Sequence, residues 1–279
     1  MPPRSEPSAA EMPRRSFDIG CLPACFPKAE VPVFTPTGDR LMPELTPHQE
    51  LALLARALWR EGYDDHLAGH ITVNLGDGTL LCNPWLLTWE EIRPEHVLKI
   101  NLDGDVVEGE WPVPLGIPLH LELHKRRPDI AWAAHSHPRF ATVWAGMGEV
   151  PPILDQSSAL GGGGRLVLVD EYSGPVNDPS SAGRAIEAMG DASLALLAGH
   201  GVFVLGGSAR AVHQRAVALE QRCRNAWYAR AAAGSAGSAG SLLPAAFLER
   251  MAAGDGEGFH GFFEAAVRVE LRSDPTLLD

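Results

Sequence analysis

Apolar side chains recur every three to four positions after residue 50, at Leu51, Leu54 and Leu58, the spacing that lines one face of an α-helix. Thr46-Pro47-His48-Gln49 stands ahead of them as a capping box with proline at the first helical position, so a helix is expected to start there. The period then shortens. "HITVNLGDGTLLCNP" (70–84) and "HVLKINLDGDVVEGE" (96–110) are short apolar runs broken by Gly-Asp-Gly and by Asp103-Gly104, which predicts two hairpins. "PLHLELHKRR" (118–127) is helix-forming and stops at Pro128, and "IAWAAHSH" (130–137) reads as a strand stopped by Pro138. From 142 the chain runs to four glycines, Gly161 to Gly164, and then to the strand "RLVLVD" (165–170). No Gly-Lys-Ser/Thr follows the glycines, so they read as a flexible loop and not as a nucleotide cradle. A helix at about 179–189 leads to two apolar strands in "SLALLAGHGVFVLG" (193–206), joined at Gly199-His200-Gly201. The strongest helical pattern follows, with Ser208 as its N-cap.

This order predicts an α/β or α+β domain with a mixed, largely antiparallel sheet. Residues 1–44 carry prolines too closely for any element to propagate and read as an arm or disordered extension. The folded domain is expected over 45–233, a Gly/Ser linker over 234–241 and two short helices over 242–279.

Composition narrows the function. A net charge of −12, from 35 acidic and 23 basic side chains, argues against a sequence-independent hold on nucleic acid or on anionic membranes. No apolar stretch reaches the roughly 20 residues of a membrane span. "RRSF" (14–17) lacks the apolar continuation of an export signal, so a cytoplasmic protein is expected. Cys21, Cys25, Cys82 and Cys223 are too few and too scattered for a disulfide framework, and Cys21 and Cys25 lack the second pair that a structural zinc needs.

The chemistry concentrates in histidine. Eleven histidines give about 0.4 His-x-His triplets by chance, so His135-Ser136-His137 is weak evidence alone. On a strand, however, residues i and i+2 face the same way and two imidazoles can converge on one ion. His200, between two glycines at a strand junction, has the backbone room of a projecting third ligand. Three imidazoles suit Zn²⁺, Fe²⁺, Mn²⁺ or Ni²⁺ and leave a position open for substrate.

From about residue 46 to 230, "GHITVN", "LDGDVVEGE", "HLELHKRRPD", "AAHSHP" and "LLAGHGVFVLG" stand in the order and spacing of the class II aldolase/adducin family, which the chain resembles. The resemblance implies an α/β/α sandwich around an antiparallel-rich sheet, a homo-tetramer with its metal near a subunit interface, and His135, His137 and His200 as ligands. Adducins themselves have lost these histidines, so their presence here points to an enzyme. In the sugar-phosphate aldolases of the family a carboxylate acid/base stands four residues before the histidine matching His120; here that position is Gly116. The phosphate loop reads Pro84-Trp85-Leu86, and the usual Gly-Asn motif carries His70.

Phosphate needs N–H groups, hydroxyls or cations, which these replacements do not supply. Trp85, Leu86 and Trp89 suggest an apolar or aromatic pocket instead, with His70, Trp85, Gly116 and Gln156 as substrate contacts. His120 and Tyr172 are the expected catalytic groups. Glu122, about 200° around the helix from His120, is a poor substitute for the missing acid, and Glu220 reads as a cap or ion-pair partner. One branch of the family resembled here is a non-haem iron oxygenase of aminocoumarin antibiotic biosynthesis, whose chemistry needs no proton-abstracting glutamate. The leading expectation is therefore iron-dependent oxidative decarboxylation of an aromatic 2-oxo acid, with dioxygen as co-substrate. The alternative is a non-oxidative Zn²⁺ or Mn²⁺ aldolase or decarboxylase of a hydroxy or keto acid. A non-catalytic adducin-like role comes last.

Overall fold

The computed structural model describes residues 44–160, 165–170, 179–233, 243–252 and 261–279. Tyr172, the four-glycine loop, the N-terminal arm to residue 43, residues 234–242 of the linker region, Cys21 and Cys25 lie outside the described residues.

The first helix, α1 (Pro47–Arg60), starts where its capping box predicts: the Gln49 N–H donates to Thr46 Oγ1 at 3.3 Å and the Thr46 N–H to Gln49 Oε1 at 3.0 Å. Two hairpins follow, β1 (His70–Asn74) with β2 (Thr79–Cys82), and β3 (Leu98–Asn101) with β4 (Val106–Glu108). Then come α2 (Ile117–Arg126), β5 (Trp132–Ser136), α3 (Arg139–Met147), α4 (Gln156–Leu160), β6 (Leu166–Val169), α5 (Pro179–Met189), β7 (Leu194–Leu197), β8 (Gly201–Gly206), α6 (Ala209–Ala233), α7 (Ala245–Ala252) and α8 (Phe262–Ser273). The eight strands form one sheet in the order β4-β3-β2-β1-β5-β8-β7-β6, antiparallel throughout except for the β6–β7 pair.

Alternation along the strands divides the core in two. Ile71, Val73, Trp132, Ala134, Val202 and Val204 join the apolar faces of α1, α3, α6 and α8 on one side. Ala133, Phe203 and Leu205 meet α2 and α5 on the other. Helices thus cover both faces of the sheet, the expected α/β/α sandwich. No helix among the described residues is long and apolar enough to cross a membrane.

Two helices, α3 and α4, are additional to the elements expected from the sequence. Pro138 stops β5 as expected and is also the N-cap of α3, and α3 ends on Gly148 in the left-handed conformation (φ 67°). Proline cannot continue a helix, yet its fixed φ is compatible with starting one. α4 begins after Asp155, whose carboxylate accepts from the Ser158 N–H at 2.9 Å and from Asn225 at 2.8 Å.

α8 is tied to α1 through charge as well as packing. Glu270, 1% exposed, accepts from Arg56 Nε at 3.1 Å and also pairs with Arg60. Phe263, Val267 and Leu277 fill the main core cluster.

Burial also makes the fold acid-sensitive. His213 on α6 is buried beside Phe263, at 5.6 Å between ring centroids, and burial pushes its pKa from 6.5 down to about 4, against a weaker opposite pull from Glu264. The unfolded chain therefore binds this proton first. The stability His213 contributes as a neutral ring is complete above pH 6.5 and lost as pH falls towards 4, with a slope of up to about 1.4 kcal/mol per pH unit. His213→Phe is expected to flatten the acid limb of urea-unfolding midpoints over that window, and an unchanged limb would refute the assignment.

Candidate metal centre

The register of the sheet assembles a histidine row. His70 on β1 lies opposite His135 on β5, and His135 lies opposite Phe203 on β8. The imidazoles of His70 and His135 stack at 5.4 Å between centroids, 28° apart. His137 follows the end of β5, and His200 sits in the turn between β7 and β8. The ring centroids of His135, His137 and His200 form a near-equilateral triangle, with separations of 4.9, 4.8 and 4.8 Å. One ligand atom from each lies within 4.8 Å of the others.

Local chemistry aims these rings. His135 Nδ1 is 2.8 Å from the Val202 carbonyl oxygen, to which it must donate, so Nε2 carries the free lone pair. His137 Nδ1 bonds the Asp65 carboxylate, again freeing Nε2, which is buried without a protein partner. Gly199 turns the chain at φ 65°, and a Cβ at Gly201 would stand 2.4 Å from His137 Cδ2 and 2.6 Å from the Ser136 carbonyl oxygen. The glycines around His200 are therefore needed for a tight turn and for the face of His137.

Three of the rings, His70, His135 and His200, are held neutral. Burial first, and neighbouring imidazoles second, push His70 down to about 3 and His135 well below the usual histidine range, while burial and His137 push His200 down to about 4. Three converging imidazoles, with the Nε2 lone pairs of His135 and His137 set by their Nδ1 contacts, are the kind of donor set that Zn²⁺, Mn²⁺ or Fe²⁺ accepts, so the residues fit a divalent metal. Asp65, absent from the sequence reading, supplies the carboxylate–histidine contact that orients such a ligand. Asp65→Asn is expected to weaken metal affinity about 10–100-fold in chelator competition with the circular dichroism unchanged; undiminished affinity would remove Asp65 from the site.

The other candidate residues divide. Gly116 is the N-cap of α2, and a Cβ there would stand 2.1 Å from His70 Cε1 and 2.8 Å from His70 Nδ1. The glycine and the histidine therefore depend on each other: the His70 ring occupies the space that any side chain at 116 would need. His120, fully buried, meets His70 edge to face at 5.9 Å. Glu122 is turned away and pairs with Arg126 at 3.1 Å.

Trp89 is core, its ring against Gly69 and its Nε1–H donating to the Gly69 carbonyl at 3.2 Å. Trp85 is half-buried and Leu86 is 53% exposed, with a left-handed φ of 74°. Gln156 is exposed at the start of α4, and no described hydrogen bond or ring contact joins Trp85 or Gln156 to the histidines. Glu220 caps α3 from α6, accepting from the Phe140 and Ala141 N–H groups at 2.9 Å each.

Fold and site together define a class of protein: an α/β/α sandwich with a candidate three-histidine centre at the ends of its central strands. Residues 49–227 match the Class II Aldolase and Adducin N-terminal domain, and the chain belongs to the class II aldolase/adducin family. It is 30% identical over 186 residues to a 3,4-dihydroxyphthalate decarboxylase of Arthrobacter keyseri, covering 62% of this chain and 74% of that one. It is 29% identical over 155 residues to a 5-deoxy-D-ribulose 1-phosphate aldolase of Bacillus thuringiensis, covering 55% and 71%. In fold it is similar to an aldolase II superfamily protein from Pseudomonas syringae, with a TM-score of 0.70 and 22% identity over 85% of this chain and 98% of that one. An L-fuculose 1-phosphate aldolase from Glaciozyma antarctica gives 0.68 and 20% over 85% and 96%. The aldolases of the family use a divalent metal, and the relatives of this chain include both aldolases and a decarboxylase.

Proposed function

We propose that this protein is a metal-dependent lyase that cleaves a carbon–carbon bond beside a carbonyl or carboxyl group in a non-phosphorylated hydroxy or keto acid, most simply by decarboxylation. The observation that carries this reading is the Gly116–His70 pair. The three-histidine cluster is complete, but the position where related sugar-phosphate aldolases carry their carboxylate is filled by an imidazole. The decarboxylase relative supports the same direction.

His135, His137 and His200 would hold the metal, and Asp65 would orient His137. When bound, a divalent metal supplies Lewis acidity that polarises a substrate oxygen. His70 replaces an anionic group with a neutral one, so the acid's own negative charge meets no fixed carboxylate at Gly116. Burial of His70, His120 and His135 excludes water and sharpens every polar contact made there. Oxidative decarboxylation with iron and dioxygen is the second reading; the absence of a carboxylate at 116 is compatible with both, and the decarboxylase relative favours the first.

Oxygen dependence separates the two. Protein stripped with a chelator and reloaded with Zn²⁺ or Mn²⁺ is expected to release CO₂ from a hydroxylated aromatic acid or a 2-oxo acid at the same rate in air and under argon. Turnover only with Fe²⁺ and oxygen would replace the lyase reading with the oxidative one.

A further inference from the structure

Thr72, two residues beyond His70 on β1, faces α2 and lies between two imidazoles one helical turn apart. Its Oγ1 is 2.8 Å from His120 Nδ1 and 2.8 Å from His124 Nε2. A hydroxyl has one proton to give, so one of these contacts must run towards it. The direction is settled at the far end of the chain. His124 Nδ1 is 3.2 Å from the Ile130 carbonyl oxygen, a group that can only accept, so His124 carries its proton on Nδ1. Burial pushes His124 down to about 4 and keeps it neutral, which leaves Nε2 as a bare lone pair. The Thr72 hydroxyl therefore donates to His124 and accepts from His120 Nδ1–H.

His120, fully buried and neutral, is thereby left with a lone pair on Nε2, and that atom has no protein partner. It lies beside His70, whose ring stacks on His135 of the candidate metal triad. A buried acceptor without a donor is a standing penalty that a ligand proton would relieve. The same lone pair repels carboxylate and phosphate oxygens and welcomes an O–H.

We infer that Thr72 and His124 are positioning residues that lock His120 as an obligate hydrogen-bond acceptor, and that the site thereby selects an acid bearing a free hydroxyl group. The substrate-class half rests on the lyase reading; the hydrogen-bonded chain of Ile130, His124, Thr72 and His120 does not.

The test uses the full-length, zinc-loaded protein with ¹⁵N-labelled histidine. His120 is assigned by loss of its signals in His120→Gln, and it is expected to show a protonated Nδ1 and a bare Nε2. Thr72→Val, which keeps shape and removes the hydroxyl, should release His120 into a mixture or into the opposite tautomer, and Thr72→Ser should restore it. A wild-type His120 protonated on Nε2, or a tautomer indifferent to Thr72→Val, overturns the lock.

In a second arm, calorimetry compares 3,4-dihydroxybenzoate with its dimethyl ether. Metal chelation by the hydroxyls is common to both proteins, so the readout is the change in preference: Thr72→Val should reduce the wild-type preference for the free hydroxyls about tenfold. An unchanged preference overturns the selectivity. A protein that passes both arms yet decarboxylates no acid would keep the lock and lose the lyase reading.

Discussion

His135→Ala is expected to leave the protein without bound metal and without activity. His135 is the hub of the cluster: its ring meets His137 at 4.9 Å, His200 at 4.8 Å and His70 at 5.4 Å, and its Nδ1 is already committed to Val202. Loss of an outer carboxylate partner typically costs about 10–100-fold in metal affinity, so loss of a direct ligand must cost more. Because His135 is only 3% exposed, alanine also opens a void in the sheet. His137→Ala, at a less buried position past the strand end, isolates the ligand effect from the packing effect. Elemental analysis of both purified variants decides the matter: either one retaining its full metal content removes that residue from the ligand set.

Gly116→Glu restores the side-chain type that related sugar-phosphate aldolases carry, and it is expected to damage the protein instead of converting it. The new Cβ alone would sit 2.1 Å from His70 Cε1, so the ring or the start of α2 must move before the carboxylate is accommodated. Overpacking of this kind costs about 1–3 kcal/mol, or a few degrees of melting temperature for a domain of this size, about 2–4 °C per kcal/mol. Combined with His70→Ala, the same substitution has room, and the pair should be non-additive by about 0.5–3 kcal/mol in a double-mutant cycle. Wild-type stability and turnover in Gly116→Glu alone would mean that His70 does not hold its place.

The elements and the His135–His137 pair of candidate ligands are readable because each rests on a local signal. The Thr46 capping box, the hairpin turns and the spacing of His135 and His137 are short-range patterns, and the structure places them as the spacing predicts. What escaped has no local mark. Asp65 reaches His137 across 72 positions of chain, and Thr72 meets His120 across 48; neither partner could be named without the fold. Pro138 shows the limit from another side: it ends β5 as read, but that it also opens α3 shows only in the fold, where Glu220 of α6 caps that helix. The tryptophans illustrate the limit of composition. Trp89 is buried in the core and Trp85 only half-buried outside it, though four residues apart they look alike in sequence.

The tether between α8 and α1 bears on how far this chain can be shortened. The match to the family's domain ends at residue 227, yet the main core continues to Leu277 and the buried Glu270 pairs with two arginines of α1. A chain cut after Ala233 would leave Arg56 without that partner and bare the side of the core that Phe263 and Val267 cover. The last helix is therefore a structural dependency of the first: cutting it away removes the buried partner of two arginines and uncovers part of the core in the same step.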